Sequence, residues 1–408
     1  MPSEFQQKFS GELQSGLREL GAREQRRTLA GIAGVNLCSN DYLGLAQHPA
    51  LREALAEAVS SVPRVGGTGS RLLSGHAEIW DELENEFAVF AGTEAALFFG
   101  SGYAANLGLL TSLAGREDII FSDALNHASL IDGIRLSGVR KCIYPHLDLA
   151  VLESALRQHH AERGRKLIVT ETVFSMDGDV APLCKILALA DRYGAGVILD
   201  EAHATAVHGP SGRGIAAGFS EANNIVAVVH TCGKALASAG AFVCGSAALK
   251  DHLINHARSF IFTTSLPPYL AAQIRAALHL AQGMDQQRAA LHQNAQRLCA
   301  ALRAQGLHTA GSTTQIIPVI LGGNEDALSA ASFLQRHGFA VRAIRPPTVG
   351  PGTARLRFSL TTAIAQSELD RLAESLRLWC NDFVELPRIG GTARYLGDQR
   401  LADRSLHS

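Results

Sequence analysis

The chain carries Val197-Ile198-Leu199-Asp200-Glu201-Ala202-His203 and, after a second apolar run from Ile225 to Val229, His230-Thr231-Cys232-Gly233-Lys234. Each apolar run has the length of a buried strand, and each ends in polar chemistry. Strand ends of α/β proteins are where ligands bind, because the loops leaving the sheet converge there. An Asp, a His and a Lys at neighbouring strand ends suit a charged, phosphorylated, nitrogen-bearing cofactor. Pyridoxal phosphate meets that description. Lys234 would form its Schiff base, Asp200 would pair with the pyridinium nitrogen, and Thr231 would hydrogen-bond the phosphate.

Two other readings use the same residues. Asp-Glu-Ala-His is also a magnesium-holding motif of nucleotide-driven helicases. That chemistry needs an upstream phosphate loop of the form G-x-x-x-x-G-K-[ST]. Gly233-Lys234 lies downstream, is followed by Ala235 and lacks a glycine at the required spacing. A buried Asp–Lys ion pair is the bland alternative, and it leaves His203, Thr231 and the segments below without a role.

A chain of 408 residues is too long for one small domain and suits a large domain plus a smaller one. With 47% apolar and 18% charged residues, its composition is that of an ordinary soluble globular protein. The formal net charge of −1 gives no electrostatic case for nucleic acid or a membrane surface. No apolar run reaches bilayer-spanning length, and Met1 to Leu20 lacks a signal-peptide core. The cysteines (Cys38, Cys142, Cys184, Cys232, Cys244, Cys299 and Cys380) are scattered and odd in number, with no Cys-x-x-Cys pair. Reduced thiols in a cytoplasm are therefore expected, and no metal site.

Residues 1–30 read as an amphipathic helix, and Leu37 to Gly44 as a short strand and turn. Together they make a helical arm over 1–43. From 44 to 281, helical stretches alternate with β-rich runs: Ala95–Phe99, Asp118–Ser122, Lys166–Glu171, Gly196–Asp200, Ile225–His230 and Ala241–Cys244. That alternation predicts an α/β fold with a mainly parallel sheet covered on both faces. From 282 to 384 the pattern becomes a small α+β domain. It has a helix over Gln286–Gln305, a strand over Gln315–Leu321, a helix capped by Asn324, strands over Ala340–Ile344 and Ala354–Leu360, and a helix over Ser367–Trp379. In the strand Ala354–Leu360, Arg355, Arg357 and Ser359 share one face. Residues 385–408 read as a mobile tail.

Several segments could serve a ligand. Gly66-Gly67-Thr68-Gly69-Ser70-Arg71 is a glycine-rich loop with no strand leading into it, so it is not a dinucleotide fingerprint. Phe98 to Asn106 runs from a strand through a glycine turn into a helix, whose free N–H groups favour an anion. Asn126-His127-Ala128-Ser129 places a histidine after a strand. Glu171 to Asp179 starts at a strand end and includes Ser175. Ser259 to Pro268 puts hydroxyls, Thr264 among them, before a proline break. Arg345-Pro346-Pro347-Thr348, followed by Arg355-Leu356-Arg357, offers a guanidinium fork for a carboxylate. Each of these alone also fits a plain turn, cap or solvated side chain.

Together the segments resemble the α-oxoamine synthase family of fold-type-I pyridoxal phosphate enzymes, in order over roughly residues 10 to 382. The resemblance rests on Ser-Asn-Asp-Tyr-Leu-Gly (39–44), His-Ala-Ser-Leu (127–130), Phe-Ser-Met-Asp-Gly-Asp (174–179), Asp-x-Ala-His (200–203) and Thr-x-Gly-Lys (231–234). Ala343 to Val349, followed by Gly-Thr-Ala-Arg-Leu-Arg (352–357), favours the branch serving biotin biosynthesis. The resemblance implies a large pyridoxal-phosphate-binding domain and a homodimer with the site at the interface. It implies that Lys234 carries the cofactor and moves the Cα proton, Asp200 keeps the ring nitrogen protonated, and His127 stacks on the ring. His203 and Ser175 would bond the ring oxygen region. Gly102, Tyr103 and Thr231 would hold the phosphate, with Thr264 reaching across the dimer. Arg357 would bind the amino-acid carboxylate, with Asn40, Thr348 and an N-terminal arginine, best matched by Arg27, also at the substrate. The implied reaction is a decarboxylative condensation of L-alanine with a pimeloyl thioester, on coenzyme A or an acyl carrier protein. A sibling activity using glycine with an acetyl or succinyl thioester is the alternative. A non-catalytic binding protein on the same scaffold is the third reading.

Overall fold

The computed structural model describes residues 2–383 apart from residues 30 and 32. The segment expected to be a mobile tail, 385–408, lies outside them. The strands in chain order are β1 (Val35–Asn36), β2 (Ala95–Phe99), β3 (Ile119–Asp123), β4 (Arg140–Tyr144), β5 (Lys166–Glu171), β6 (Ala195–Asp200), β7 (Ile225–Thr231), β8 (Ala241–Gly245), β9 (Ile316–Gly322), β10 (Phe339–Ala340), β11 (Ala343–Ile344) and β12 (Ala354–Ser359).

Seven strands form the central sheet in the order β2-β8-β7-β6-β5-β3-β4. The pairs from β4 through β7 are parallel, and β8 is antiparallel to both β7 and β2. Only β8 is therefore reversed, and the C-terminal ends of the other six open on one rim. The apolar runs are continuous because both faces are covered. In β6, Ile198 packs into one core cluster with Leu110, Val169 and Val229, while Val197 and Leu199 pack into another with Phe121, Ile168 and Val228. Val197, Ile198 and Leu199 are each 0% exposed, and burial of such a side chain contributes about 1.5–3 kcal/mol.

A second sheet has the order β11-β12-β9, antiparallel throughout, with the helices Asp285–Ala304, Asn324–Arg336 and Gln366–Phe383 beside it. The single strand expected over Ala340–Ile344 is two fragments. Phe339 and Ala340 pair in parallel with Val35 and Asn36, whereas Ala343 and Ile344 pair antiparallel with Leu356 and Arg355. The chain leaves one ladder for another, so no single run of hydrogen bonds can span it. The N-terminal helix runs from Glu4 to Ala22 and stops short of residue 30. The strand expected at Leu37 ends at Asn36, and Leu37 to Gly44 is a turn-rich connection. Asn324 is not a cap. Gly323 holds that position, and the Asn324 amide instead donates to the Arg23 carbonyl at 3.1 Å.

Candidate active site

The rim collects the expected residues. Asp200 ends β6, Thr231 ends β7 and Glu171 ends β5, in register with Asp200. Lys234 follows β7 in a tight loop closed by hydrogen bonds from Ser238 N–H to the Cys232 carbonyl and from Cys232 N–H to the Gly240 carbonyl, both 2.9 Å. Its Nζ lies 2.8 Å from His203 Nε2. Burial, opposed by the charges of Asp200 and Glu171 and helped by Arg357, brings the Lys234 amine down to about 8.

His203 is buried and its Nδ1 lies 2.6 Å from the Tyr42 hydroxyl. That hydroxyl donates to Asn40 Oδ1 at 3.1 Å, so His203 Nδ1 carries the proton and Nε2 keeps its lone pair toward Lys234. Burial first, then the charges of Lys234 and Arg357, holds His203 well below the usual imidazole range. Asn40 Oδ1 also accepts from Arg357 Nη1 and Nη2 at 3.3 Å, and Arg357 Nε donates to the Ser175 carbonyl at 2.5 Å. Asn40, Ser175, His203, Lys234 and Arg357 thus form one connected group. Arg355 and Arg357 are both buried, unlike ordinary strand arginines, and Arg355 pairs with Asp177.

Asp200 is gripped on both oxygens. Ala202 N–H donates to Oδ1 at 2.8 Å and Asn106 Nδ2 to Oδ2 at 2.6 Å. Beside it, Glu171 is buried with Oε1 unpartnered. Burial, reinforced by the Asp200 charge, raises that carboxyl well above its usual range. Gly102 opens the helix Gly102–Leu113, capped by Ser101 Oγ, which accepts from Ala104 N–H at 3.0 Å. Tyr103 is exposed and hydrogen-bonds Asp132. His127 caps the helix Ala128–Ser137, its Nδ1 accepting from Ser129 N–H at 3.2 Å, and the residue is exposed.

Thr264, Arg27 and Thr348 stand apart from the Lys234 group. Thr264 is exposed, on a loop tied to the glycine-rich segment by Ser265 N–H donating to the Gly69 carbonyl at 2.8 Å. Arg27 meets Thr348, with Nη2 donating to Oγ1 at 3.0 Å, and Arg345 reaches the Glu24 carbonyl close by. Burial and the Arg27 charge lower the Arg345 pKa, against the attraction of Glu24. Two guanidinium groups side by side repel, an arrangement that an anionic ligand stabilises.

Sequence reasoning assigned no role to Tyr42, Asn106, Ser129, Glu171 or His146. The first four lie inside quoted motifs, and nothing in a single sequence ranks them above their neighbours. His146 clamps the loop that carries Ser175. Its Nδ1 lies 2.9 Å from Asp123 and its Nε2 2.7 Å from Asp179. The same loop runs close against β9 at Gly178 (φ +67), where a side chain would start 2.0 Å from the Ile316 carbonyl. Burial disfavours the His146 charge, but the hydrogen bonds and charges of both carboxylates outweigh it and push the imidazole up to about 10. A raised pKa stabilises the fold below the unfolded value near 6.5, and that stability is lost as pH rises through about 10. With the ring 22% exposed, the contribution is on the order of 2 kcal/mol. His146→Gln is expected to be less stable by that amount at pH 7, with the gap closing above pH 10 in denaturant titrations. A gap that stays constant with pH would show that the charge of His146 is not what stabilises the loop.

The chain matches the family described as aminotransferase class I and II over residues 32–376. The chain belongs to that family. It is 47% identical to an 8-amino-7-oxononanoate synthase of Geobacter sulfurreducens, covering 90% of this chain and 96% of the relative. It is 44% identical to the enzyme of the same name from Methylococcus capsulatus, over 87% of this chain and 91% of that one. Among solved structures it resembles a serine palmitoyltransferase from S. paucimobilis with bound PLP (TM-score 0.84, 28% identity, 93% of this chain and 99% of the other). It also resembles an 8-amino-7-oxononanoate synthase from Francisella tularensis (TM-score 0.73, 29% identity, 85% and 98%). The structural likenesses share the fold and leave the amino acid open. The much higher identities are to synthases of one name, consistent with the branch suggested by residues 343–357. No helix among the described residues is long and apolar enough to cross a membrane.

Proposed function

We propose that this chain is an 8-amino-7-oxononanoate synthase, which joins L-alanine to a pimeloyl thioester with loss of carbon dioxide, using pyridoxal phosphate. The observation that carries the reading is Lys234 held 2.8 Å from His203 on a rim where Asp200 and Arg357 also converge. The residues fit the cofactor. The first N–H groups of the helix Gly102–Leu113 have no partners within the helix and favour an anion. Thr231 Oγ1 lies 3.6 Å from where a Gly102 side chain would begin, so hydroxyl and helix start flank one seat for a phosphate. Asp200 offers a firmly oriented carboxylate and Lys234 an amine.

When bound, pyridoxal phosphate supplies an aldehyde that captures amines and a cationic ring that takes up the electrons of a bond broken at Cα. Asp200 holds the proton at the ring nitrogen. Lys234, with its amine near 8, can give up a proton at working pH and take one from alanine Cα. His203 accepts from that amine and keeps it aimed. Arg357 holds the alanine carboxylate, the group later lost as carbon dioxide, while the Cα–acyl bond forms and the thiol leaves. His127 covers the ring. Arg27, Arg345 and Thr348 meet the far carboxylate of the pimeloyl chain, and a second copy of the chain brings Thr264 to the phosphate. Residues 44–281 form the cofactor-binding domain and 282–384 the smaller one. The unpaired cysteines support a reducing, cytoplasmic setting.

The test is product formation by the purified protein with alanine, glycine and serine, each with pimeloyl-, acetyl-, succinyl- and palmitoyl-CoA and with pimeloyl-carrier protein. The expected product comes from alanine and a pimeloyl thioester. Turnover only with glycine and a short acyl group would replace the reading with the sibling activity. A protein that binds no pyridoxal phosphate would end it.

A further inference from the structure

Asp200 and His127 stand at the ends of different chain segments, and the fold joins them through one buried side chain. Asn106, 1% exposed, lies in the helix Gly102–Leu113. Its Nδ2 is 2.6 Å from Asp200 Oδ2 and 2.9 Å from Ser129 Oγ. Ser129 Oγ is 2.8 Å from His127 Nδ1, and the Ser129 backbone N–H donates to the same nitrogen at 3.2 Å.

The direction of every bond follows from donor counting. A backbone N–H can only donate, so His127 Nδ1 is the nitrogen with the lone pair. The Ser129 hydroxyl therefore donates to it as well, and its oxygen accepts from Asn106. The two amide protons of Asn106 are both spent, one on Asp200 and one on Ser129. The imidazole proton is left on Nε2. Partial burial of the ring and the Lys234 charge pull His127 below the usual imidazole range, against the attraction of Asp200, in keeping with a neutral ring.

We propose that Asn106 is a positioning residue that ties Asp200 and His127 into one unit, aiming the carboxylate at the cofactor ring nitrogen and holding His127 as its Nε2–H tautomer. The proposal rests on the reading of this rim as a pyridoxal phosphate site. Asp200 and His127 then do not act independently, because a change at Asn106 reaches both.

Asn106→Leu keeps the size and removes both donors, while Ser129→Ala cuts only the arm to His127. Two readouts are needed: pyridoxal phosphate affinity of the cofactor-free protein, and the ¹⁵N signals of the His127 ring with and without cofactor. Asn106→Leu is expected to weaken cofactor binding about 10- to 100-fold, the loss of a hydrogen bond to a charged group. It should also shift the His127 ring signals away from a single Nε2–H tautomer. Ser129→Ala should release the His127 signals in the same way. Parent-like affinity in Asn106→Leu, or His127 signals unmoved by either change, would overturn the proposal. If the parent protein itself binds no pyridoxal phosphate, the site reading fails instead, and the ring signals of the cofactor-free protein still decide whether the chain through Ser129 exists. Should Asn106→Leu not fold, Ser129→Ala tests that arm alone.

Discussion

Lys234→Ala lowers turnover by at least about four orders of magnitude and leaves a folded protein. The amine has two tasks that no neighbour can take over. It must give up its proton readily near working pH, which burial favours by bringing it down to about 8. It must also sit within reach of the reacting carbon, which the loop from Cys232 to Ser238 and the contact with His203 at 2.8 Å arrange. His203 cannot substitute, because its Nδ1 is engaged with Tyr42 and its pKa is held low. The fold tolerates the change, since the Lys234 amine bonds a neutral imidazole rather than forming a close ion pair with a buried carboxylate. Steady-state rates together with a melting curve check this. A parent-like rate in a folded variant would remove Lys234 from the mechanism.

Asp200→Asn comes second, with an expected fall in rate of about 10³-fold, or ~4 kcal/mol in the barrier. The amide still accepts from Ala202 N–H through one oxygen, so the turn after β6 survives. What changes is the other arm. A carboxylate favours a proton on a ring nitrogen facing it, whereas an amide does not, and Asn106 Nδ2 now faces a group that can be a donor. Without a cationic ring the electrons released at Cα have no sink. At saturating pyridoxal phosphate the variant should bind the cofactor, with weakened affinity, yet turn over slowly. A loss below tenfold would mean that Asp200 anchors the strand end and no more.

Much of this site was legible in the sequence because its residues sit where strands stop. Asp200 and Thr231 close apolar runs whose length and flanks announce buried strands, and Lys234 follows at once. What stayed hidden depends on pairs far apart in the chain. Tyr42 matters because the fold sets it against His203, Asn106 because Asp200 lies beside it, and His146 because Asp123 and Asp179 close on it. No local periodicity encodes such pairings. The edge strand β4 escaped for a different reason: Arg140, Lys141 and Ile143 are exposed, so it has no apolar run to read. At β10 and β11 a run that looked continuous is divided between two ladders, a choice made by partners at residues 35–36 and 355–356.

The pairing of Val35 and Asn36 with Phe339 and Ala340 also sets an order of assembly during synthesis. Every strand of the central sheet has left the ribosome once Gly245 is out, and that sheet can close on itself. The arm that brings Asn40 and Tyr42 has no ladder to join until residue 340 follows, and Arg357, which anchors Asn40, comes later still. At about 5–20 residues per second, the first segment made waits on the order of half a minute for its place. A nascent chain that stalls before β10 therefore carries Lys234 and Asp200 on a finished sheet, with Asn40 unplaced and Arg357 not yet made.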